Sequence, residues 1–529
     1  LGLVPKTCIP NYGEFYEARH FARGMKQVEE TQFLPELRLP IGTGQIFCCD
    51  QMPELRVAAE ICEDLWTPQP PSIAHALAGA NVIVNLSASD ETTGKDRYRT
   101  ALVAGQSARL LCGYVYASAG DGESTQDVVY SGHNIIAENG TVLKEAKRFA
   151  NETVYSEFDI FRLNAERRKM TTFEQKSENY VNQIFHLKSE ETTLSRFIDP
   201  APFVPGSKVD RDRRCEEILS IQSMGLKKRL EHTHCKNAVV GISGGLDSTL
   251  ALLVTVRAFD LLGLERGQIT AVTMPGFGTT DRTYENAVKL IRCLGAEFRE
   301  IPIADAVRVH FRDIGQDETV HDVTYENGQA RERTQILMDI ANKNGGMVIG
   351  TGDMSELALG WATYNGDHMS MYGVNASVPK TLVRHLVSYY ADVCGDEELK
   401  EVLLDVLDTP VSPELLPPED GKIAQKTEDI VGPYELHDFY LYYILRFGYT
   451  PSKIYRLAKI AFDGVYEKET ILKWLKTFYR RFFAQQFKRS CLPDGPKVGT
   501  VAVSPRGDLR MPSDAAAAAW QRELEALEE

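Results

Sequence analysis

Three observations predict an α/β protein of two domains. Short β-rich runs separated by helical stretches fill the first part of the chain, as far as about Leu163. From about Ser207 onward, apolar strand-like runs alternate with longer helical patterns, as in a parallel, doubly wound sheet. Between them the text turns polar and Lys/Arg/Glu-rich, then Pro-rich in Asp199-Pro-Ala-Pro-Phe-Val-Pro-Gly206. The expected division is a domain over 1–163, a connector over 164–206 and a second domain over 207–529, which carries a basic carboxyl-terminal tail.

In the first domain the strand candidates are Ile46–Cys49, Ala80–Asn85, Gly113–Ala117 and Ser131–Ala137, with a helix over Asp96–Leu111. In the second they are Ala238–Ile242, Gln268–Met274, Glu300–Ile303 and Gly346–Gly350. The low-complexity patch Ala515–Ala519 reads as a short helix. The tail Lys488-Arg489, Lys497, Arg506, Arg510 is interrupted by Pro493, Pro496 and Pro505, which predicts a loop suited to a polyanionic ligand or a subunit contact.

With 529 residues, 43% hydrophobic and 25% charged, the chain has the balance of a multi-domain globular protein. A net charge of -15 argues against general nucleic-acid binding and against adhesion to anionic membranes. No run approaches the ~20 apolar residues that cross a bilayer, and Leu1–Lys6 lacks the pattern of a signal peptide. The ten cysteines are scattered without CxxC pairs or zinc spacing, which fits reduced thiols in a cytoplasmic enzyme.

The most informative stretch is AVVGISGGLDSTLAL, residues 238–252. An apolar β-branched run leads into two glycines, and a helix with a hydroxyl at its start follows. Such a loop offers free backbone N–H groups to an anion, with the helix dipole behind them. No lysine follows the glycines, so this is not the common GxxxxGK[ST] loop; Asp247 stands where a magnesium ligand would be useful.

The SGGLDS sequence resembles the loop of the N-type ATP pyrophosphatases, which cut ATP between its α and β phosphates. Within that group, Gly350-Thr-Gly-Asp-Met-Ser-Glu-Leu-Ala-Leu-Gly-Trp-Ala-Thr-Tyr-Asn-Gly-Asp367 resembles the hallmark of the NAD synthetases. Pro379-Lys-Thr-Leu382, Ser412-Pro-Glu-Leu-Leu416, Gln425-Lys-Thr-Glu-Asp429 and Gln486-Phe-Lys-Arg-Ser490 follow in that family's order. Independently, Ile61-Cys-Glu-Asp-Leu-Trp66 resembles the nucleophile turn of the nitrilase superfamily, in the version fused to glutamine-dependent NAD synthetases, and Pro5-Lys6 with Pro10–Glu14 resembles its lysine motif. The resemblance covers essentially the whole chain. It implies a nitrilase-like α-β-β-α sandwich, incomplete here, joined to a doubly wound ATP pyrophosphatase domain.

The resemblance also implies the activity: ATP-dependent amidation of deamido-NAD through an adenylate, releasing AMP and pyrophosphate, with ammonia from glutamine hydrolysis. ATP and Mg2+ are the implied cofactors, and deamido-NAD with glutamine or ammonia the other substrates. Carried over residue by residue, Gly241, Ile242, Ser243, Gly244, Gly245, Leu246, Asp247 and Ser248 cradle phosphates. Thr351, Lys380 and Ser412 contact ATP, and Asp247 and Glu356 hold the metal. Asn327, Arg331, Glu356, Trp361, Ala362, Thr363, Tyr364, Asp367 and Lys488 surround deamido-NAD. In the glutaminase half Cys62 is the nucleophile and Lys6 its cationic partner, with Glu14 in support; Tyr12, Glu63, Trp66, Ser89 and Lys95 read the glutamine. A homo-oligomer is expected.

Each residue also has a plainer reading. Cysteines are most often small buried hydrophobes, a Gly-Gly pair is most often a turn, Glu356 could be a helix-surface carboxylate, and Ser412 could start a turn at Pro413. His437 and Asp438, among aromatics, read as packing. The family's general-base glutamate would precede Leu1, so the chain reads as lacking its amino-terminal part. That leaves an ammonia-only synthetase with a non-catalytic glutaminase remnant as the alternative, using ammonium well and glutamine hardly at all. A GMP-synthetase type would need a cysteine elbow with a His-Glu pair, which is not found, and a lone nitrilase leaves the larger half unexplained.

Overall fold

A computed structural model describes residues 1–123, 127–188, 190–206, 208–410, 415–416 and 427–527. The chain forms two compact units, Leu1–Phe197 and Ile198–Glu529.

The first unit is built on strands β1 (Glu29–Leu34), β2 (Leu37–Ile41), β3 (Gln45–Cys49), β4 (Arg56–Ile61), β5 (Val82–Ser87), β6 (Gly113–Ser118), β7 (Ile135–Glu138), β8 (Thr141–Glu145) and β9 (Val181–Phe185). β1 and β2 pair with each other as an antiparallel ribbon. The other seven make one mixed sheet in the order β8-β7-β6-β5-β4-β3-β9, with β4, β5 and β6 parallel at its centre. Helix α1 (Lys95–Leu110) crosses over between β5 and β6, and α2 (Ile160–Lys169) follows β8. Ala58, Ile83, Val103, Tyr114 and Ile135 meet in a fully buried core on the α1 side. The parallel centre matters for chemistry, because the turn leaving β4 is where Cys62 sits.

The second unit carries β10 (Ala238–Gly241), β11 (Ile269–Thr273), β12 (Glu297–Glu300), β13 (Met347–Gly350) and β14 (Tyr372–Gly373) in a parallel sheet ordered β12-β11-β10-β13-β14. Alternate residues of β10 enter different cores: Ala238 and Val240 join Leu250 and Leu253, whereas Val239 joins Val272, Phe311 and Tyr325. Both faces of the sheet are therefore covered by helices, the doubly wound arrangement expected. The helices that build the site are α3 (Leu246–Leu262), α4 (Met354–Leu359), α5 (Lys380–Val393), α6 (Tyr434–Tyr442) and the single turn α7 (Gln486–Arg489). Twelve of the seventeen residues of α3 are buried, which anchors the loop before it. Emptying one such position, as in Leu250→Ala, would cost about 2–5 kcal/mol.

Several expectations shift: the helix read at Ala515–Ala519 begins only at Ala518 and runs to Glu525, and Lys488 and Arg489, read as part of a loop, lie in the turn α7. The stretch 164–206, read as a connector, holds the end of α2 and the whole of β9, and β9 pairs in parallel with β3 inside the first unit. The strand read at Glu300–Ile303 lies at Glu297–Glu300: Pro302 cannot donate to a ladder, and charged residues suit an edge strand. The strand read at Ser131–Ala137 is confined to Ile135–Glu138. Among the described residues no helix is long and apolar enough to cross a membrane.

Candidate active sites

In the second unit the loop after β10 opens a cavity of about 270 Å³. Gly241, Ile242, Ser243, Gly245, Leu246, Asp247 and Ser248 line it, as do Thr351, Glu356, Trp361, Ala362, Asp367 and Lys380. Gly244 does not line it. Its φ of 86° is left-handed, and a Cβ there would lie 2.1 Å from the Thr283 carbonyl oxygen, so only glycine lets the loop turn. The turn starts α3, whose N-terminal amides face the cavity with Asp247 in the first turn. Asn375 ties the cradle together by donating to the backbone oxygens of Asp247 and Thr351, 3.0 Å each.

Lys380, the first residue of α5, is buried and faces three carboxylates: Asp247 at 2.5 Å, Asp353 at 2.7 Å and Glu356 at 2.8 Å. Asp353 caps α4 by accepting from the Glu356 N–H, which places the two acids on one turn. Burial alone would lower the Lys380 ammonium, but the three acids overturn that and hold it well above the lysine range. Burial pushes Glu356 up to about 7, against the pull of Lys380, and raises Asp353 well above the usual carboxylate range. Three acids against one ammonium leave the cluster anionic when ionised. Their oxygens lie within 4.8 Å of one another, and Asp247 Oδ1 is buried without a hydrogen-bond partner. An all-oxygen set with an unused buried oxygen fits a hard divalent cation.

The remaining predicted residues form a wall beside this cluster. Thr363 Oγ1 donates to Asn327 Oδ1 at 2.7 Å, the Thr363 N–H donates to Asp367 at 2.7 Å, and Arg331 Nε donates to the Tyr364 carbonyl at 3.3 Å. Lys488 Nζ reaches the carbonyls of Gly360 and Ala362 at 3.0 and 2.6 Å. Asn327, Arg331, Thr363, Tyr364 and Lys488 thus support the wall, while Trp361, Ala362 and Asp367 face the cavity. Ser412 lies outside the described residues.

Sequence reasoning missed Asp353, although it stands in the quoted GTGDMSE stretch three residues before Glu356. Asp438, read from the sequence as packing, has a positioning role as well. That buried acid on α6 accepts from Ser355 Oγ and from Thr381 N and Oγ1, and Ser355 Oγ in turn accepts the Lys380 N–H at 2.8 Å. Burial raises Asp438 to about 6. Its four-group network holds the start of α5, and with it Lys380.

In the first unit, Cys62 opens a short 3-10 turn, Cys62–Leu65, directly after β4. Its φ of 50° is left-handed, a strained setting for a side chain with a Cβ and one typical of nucleophile turns. Asn85 on β5 steadies it by accepting the Cys62 N–H at 3.0 Å. Asp64 accepts from Ile61 N, Thr7 N, Thr7 Oγ1 and Cys8 N, which pins residues 7–8, next to Lys6, onto the turn. Lys6 pairs with Glu17 at 2.7 Å, whereas Glu14, expected in its support, is exposed. Tyr12 donates to Glu63 at 2.5 Å, and that bond, helped by burial, pushes its hydroxyl up to about 12. Trp66 ends the turn beneath the Lys95 ammonium, 5.6 Å from the ring centre, and Lys95 also pairs with Asp90 at 2.5 Å. Ser89 is buried, 3.4 Å from Arg99 Nη2.

Residues 218–474 match the family model described as NAD synthase, and residues 3–168 the one described as carbon-nitrogen hydrolase. A glutamine-dependent NAD(+) synthetase of Mycobacterium leprae is 42% identical over 560 residues, spanning 99% of this chain and 82% of that protein. One of Aquifex aeolicus is 27% identical over 515 residues, 97% of this chain and 81% of that protein. The fold is shared with the crystal structure of a glutamine-dependent NAD(+) synthetase from Cytophaga hutchinsonii, at a TM-score of 0.50 and 21% identity, over 100% of this chain and 82% of that one.

Proposed function

The chain belongs to the family of glutamine-dependent NAD(+) synthetases, and on that premise we propose how its two sites divide the work. It is a carbon–nitrogen ligase that couples ATP cleavage to amidation, with glutamine as nitrogen donor. The second unit takes deamido-NAD and ATP. The deamido-NAD carboxylate attacks the ATP α-phosphorus, the bond to the β-phosphate oxygen breaks, and pyrophosphate leaves. Ammonia then attacks the acyl carbon of the adenylate, AMP leaves, and the nitrogen sheds a proton to give the amide.

Residues 241–248 bind the phosphates through backbone N–H groups, Ser243 and Ser248. Lys380, kept cationic by its acids, is placed to exchange carboxylate contacts for phosphate oxygens as charge moves onto the leaving group. Thr351, Trp361, Ala362 and Asp367 orient the dinucleotide, and Lys488 stiffens that wall from behind. Asp247, Asp353 and Glu356 would hold magnesium, which when bound neutralises charge on the departing pyrophosphate.

In the first unit Cys62 attacks the glutamine amide carbon, ammonia leaves, and water hydrolyses the thioester to glutamate. Lys6 stabilises the oxyanion, while Tyr12, Glu63, Trp66, Ser89 and Lys95 hold the glutamine. The chain acts in the cytoplasm as a homo-oligomer; light scattering of the purified protein at a single-subunit mass would contradict the second half of that statement.

The observation that carries the reading is the lysine-centred trio of acids at the mouth of a lysine-free glycine loop. Deamido-NAD labelled with 18O in its carboxylate tests it. With ATP and ammonium, one label should appear in AMP; label in inorganic phosphate alongside ADP would contradict it.

A further inference from the structure

Ten cysteines are free, and one of them has a base beside it. Cys491 Sγ, just past α7, lies 3.4 Å from His368 Nε2; among the described residues no other cysteine has a histidine nitrogen in hydrogen-bond reach. The ring's state follows from its other side. His368 Nδ1 is 2.9 Å from the Thr363 carbonyl oxygen, which can only accept, so Nδ1 carries the proton and a neutral ring has its lone pair at Nε2, facing the thiol. Burial lowers the His368 pKa, which keeps the ring neutral near pH 7. The thiol has a second acceptor, the Lys488 carbonyl at 3.3 Å, but only the nitrogen can carry the proton away. His368 is buried and lines the 270 Å³ cavity, whereas Cys491 is partly exposed.

We propose that Cys491 and His368 form a thiol–imidazole pair, a modification site for small soft electrophiles on the wall of the synthetase cavity. With iodoacetamide the thiol proton passes to His368 Nε2 while sulfur forms a bond to the methylene carbon. The C–I bond breaks, iodide leaves, and the imidazolium later returns its proton to water. The added group sits against His368, whose ring packs 5.6 Å from Tyr364 and whose Nδ1 holds the Thr363 carbonyl. Modification therefore distorts the 361–368 wall, and a filled cavity restrains the His368 ring. The effect on synthesis rests on the function proposed above; the reactivity does not.

The test labels the full chain with limiting iodoacetamide at neutral pH and follows each cysteine by peptide mass spectrometry. Cys235 and Cys394, also partly buried, serve as references. Base assistance predicts labelling of Cys491 at least about tenfold faster than either. His368→Gln should bring it within about twofold of them, and ATP with deamido-NAD should slow Cys491 alone by at least about threefold. NAD synthesis from ammonium, which bypasses Cys62, should decline in step with Cys491 labelling and survive treatment in Cys491→Ser. Labelling of Cys491 no faster than the references overturns the proposal, as does a rate unchanged in a folded His368→Gln. If that variant does not fold, the rate ratio and the ligand protection decide. Selective labelling of a chain that makes no NAD would instead contradict the proposed function and leave the thiol pair standing.

Discussion

The two sites organise charge in opposite ways. In the second unit four ionisable groups crowd one buried point, and Lys380 satisfies three acids at once. In the first unit the charges are spread in pairs around a strained turn, Lys6 with Glu17 and Lys95 with Asp90, and Cys62, the proposed nucleophile, is held by backbone geometry. The difference follows the chemistry each site faces. Phosphoryl transfer moves large charges and is served by a preorganised electrostatic cluster. Amide attack needs one well-aimed nucleophile, and a turn with an unusual φ aims it.

The comparison breaks most visibly at its most coupled group. Lys380→Met leaves three carboxylates facing one another in a buried site. Synthesis from both nitrogen sources should fall by at least about 10²–10³-fold, and thermal unfolding should show a loss of about 3–5 kcal/mol, as when one partner is removed from a buried ion pair. A variant with unchanged melting would mean that the cluster is not held together by Lys380. Asp247→Asn removes one charge and keeps the shape. Turnover with ammonium at saturating magnesium should drop about 10²–10³-fold with little change in melting, and activity within about twofold of the parent would refute its role.

On the other side, Asp64→Asn weakens the acceptor that ties Thr7 and Cys8 to the nucleophile turn. Glutamine-driven synthesis should fall by roughly tenfold, the effect of losing about 1.4 kcal/mol of positioning, while the ammonium rate stays put. Equal loss with both nitrogen sources would show that Asp64 serves stability alone.

Much of this was legible in the chain and some was not, for identifiable reasons. Central strands such as β10 and the Val82–Val84 start of β5 announce themselves because burial on both faces demands continuous apolar residues. Of the strands that were displaced or overlooked, β12, β14, β8 and β9 lie at sheet edges, and in β12, β8 and β9 exposure permits Glu, Lys, Arg, Asn and Gln and erases the pattern. β4, by contrast, is central and was overlooked because Arg56 and Glu60 break its apolar run. The SGGLDS loop could be read because a glycine-forced turn and its helix are local. The Lys380 cluster joins residues from α3, α4 and α5, so only the acids' spacing could have hinted at it; Asp353 and Glu356, three apart, share a helix turn. The Lys6–Glu17 pair closes through an irregular loop and carried no periodic signal.

A further effect concerns pH. Burial pushes Glu60, behind the Cys62 turn, up to about 7, against the pull of its donors Tyr114 and Ser72. A carboxyl raised in the fold binds its proton more tightly folded than unfolded. Its stabilisation is therefore full below about pH 4.5, the ordinary value, and is lost as pH rises through about 7. Protection of the β4 and β6 amides, taken relative to the intrinsic exchange rate at each pH, should fall across that window by an amount worth roughly 1–3 kcal/mol, and Glu60→Gln should flatten the dependence. No change between pH 5 and 8 in the parent would mean that Glu60 titrates normally.

On the proposed function, one unit makes ammonia and the other consumes it, each with its own machinery. Cys62→Ala assayed with glutamine and with ammonium at matched concentration tests this most directly, after contaminating ammonium is removed. No detectable synthesis from glutamine is expected, with an ammonium-driven rate within about twofold of the parent, since the second site is untouched. Glutamine-driven synthesis that persists in Cys62→Ala, or loss of both routes together, would contradict it.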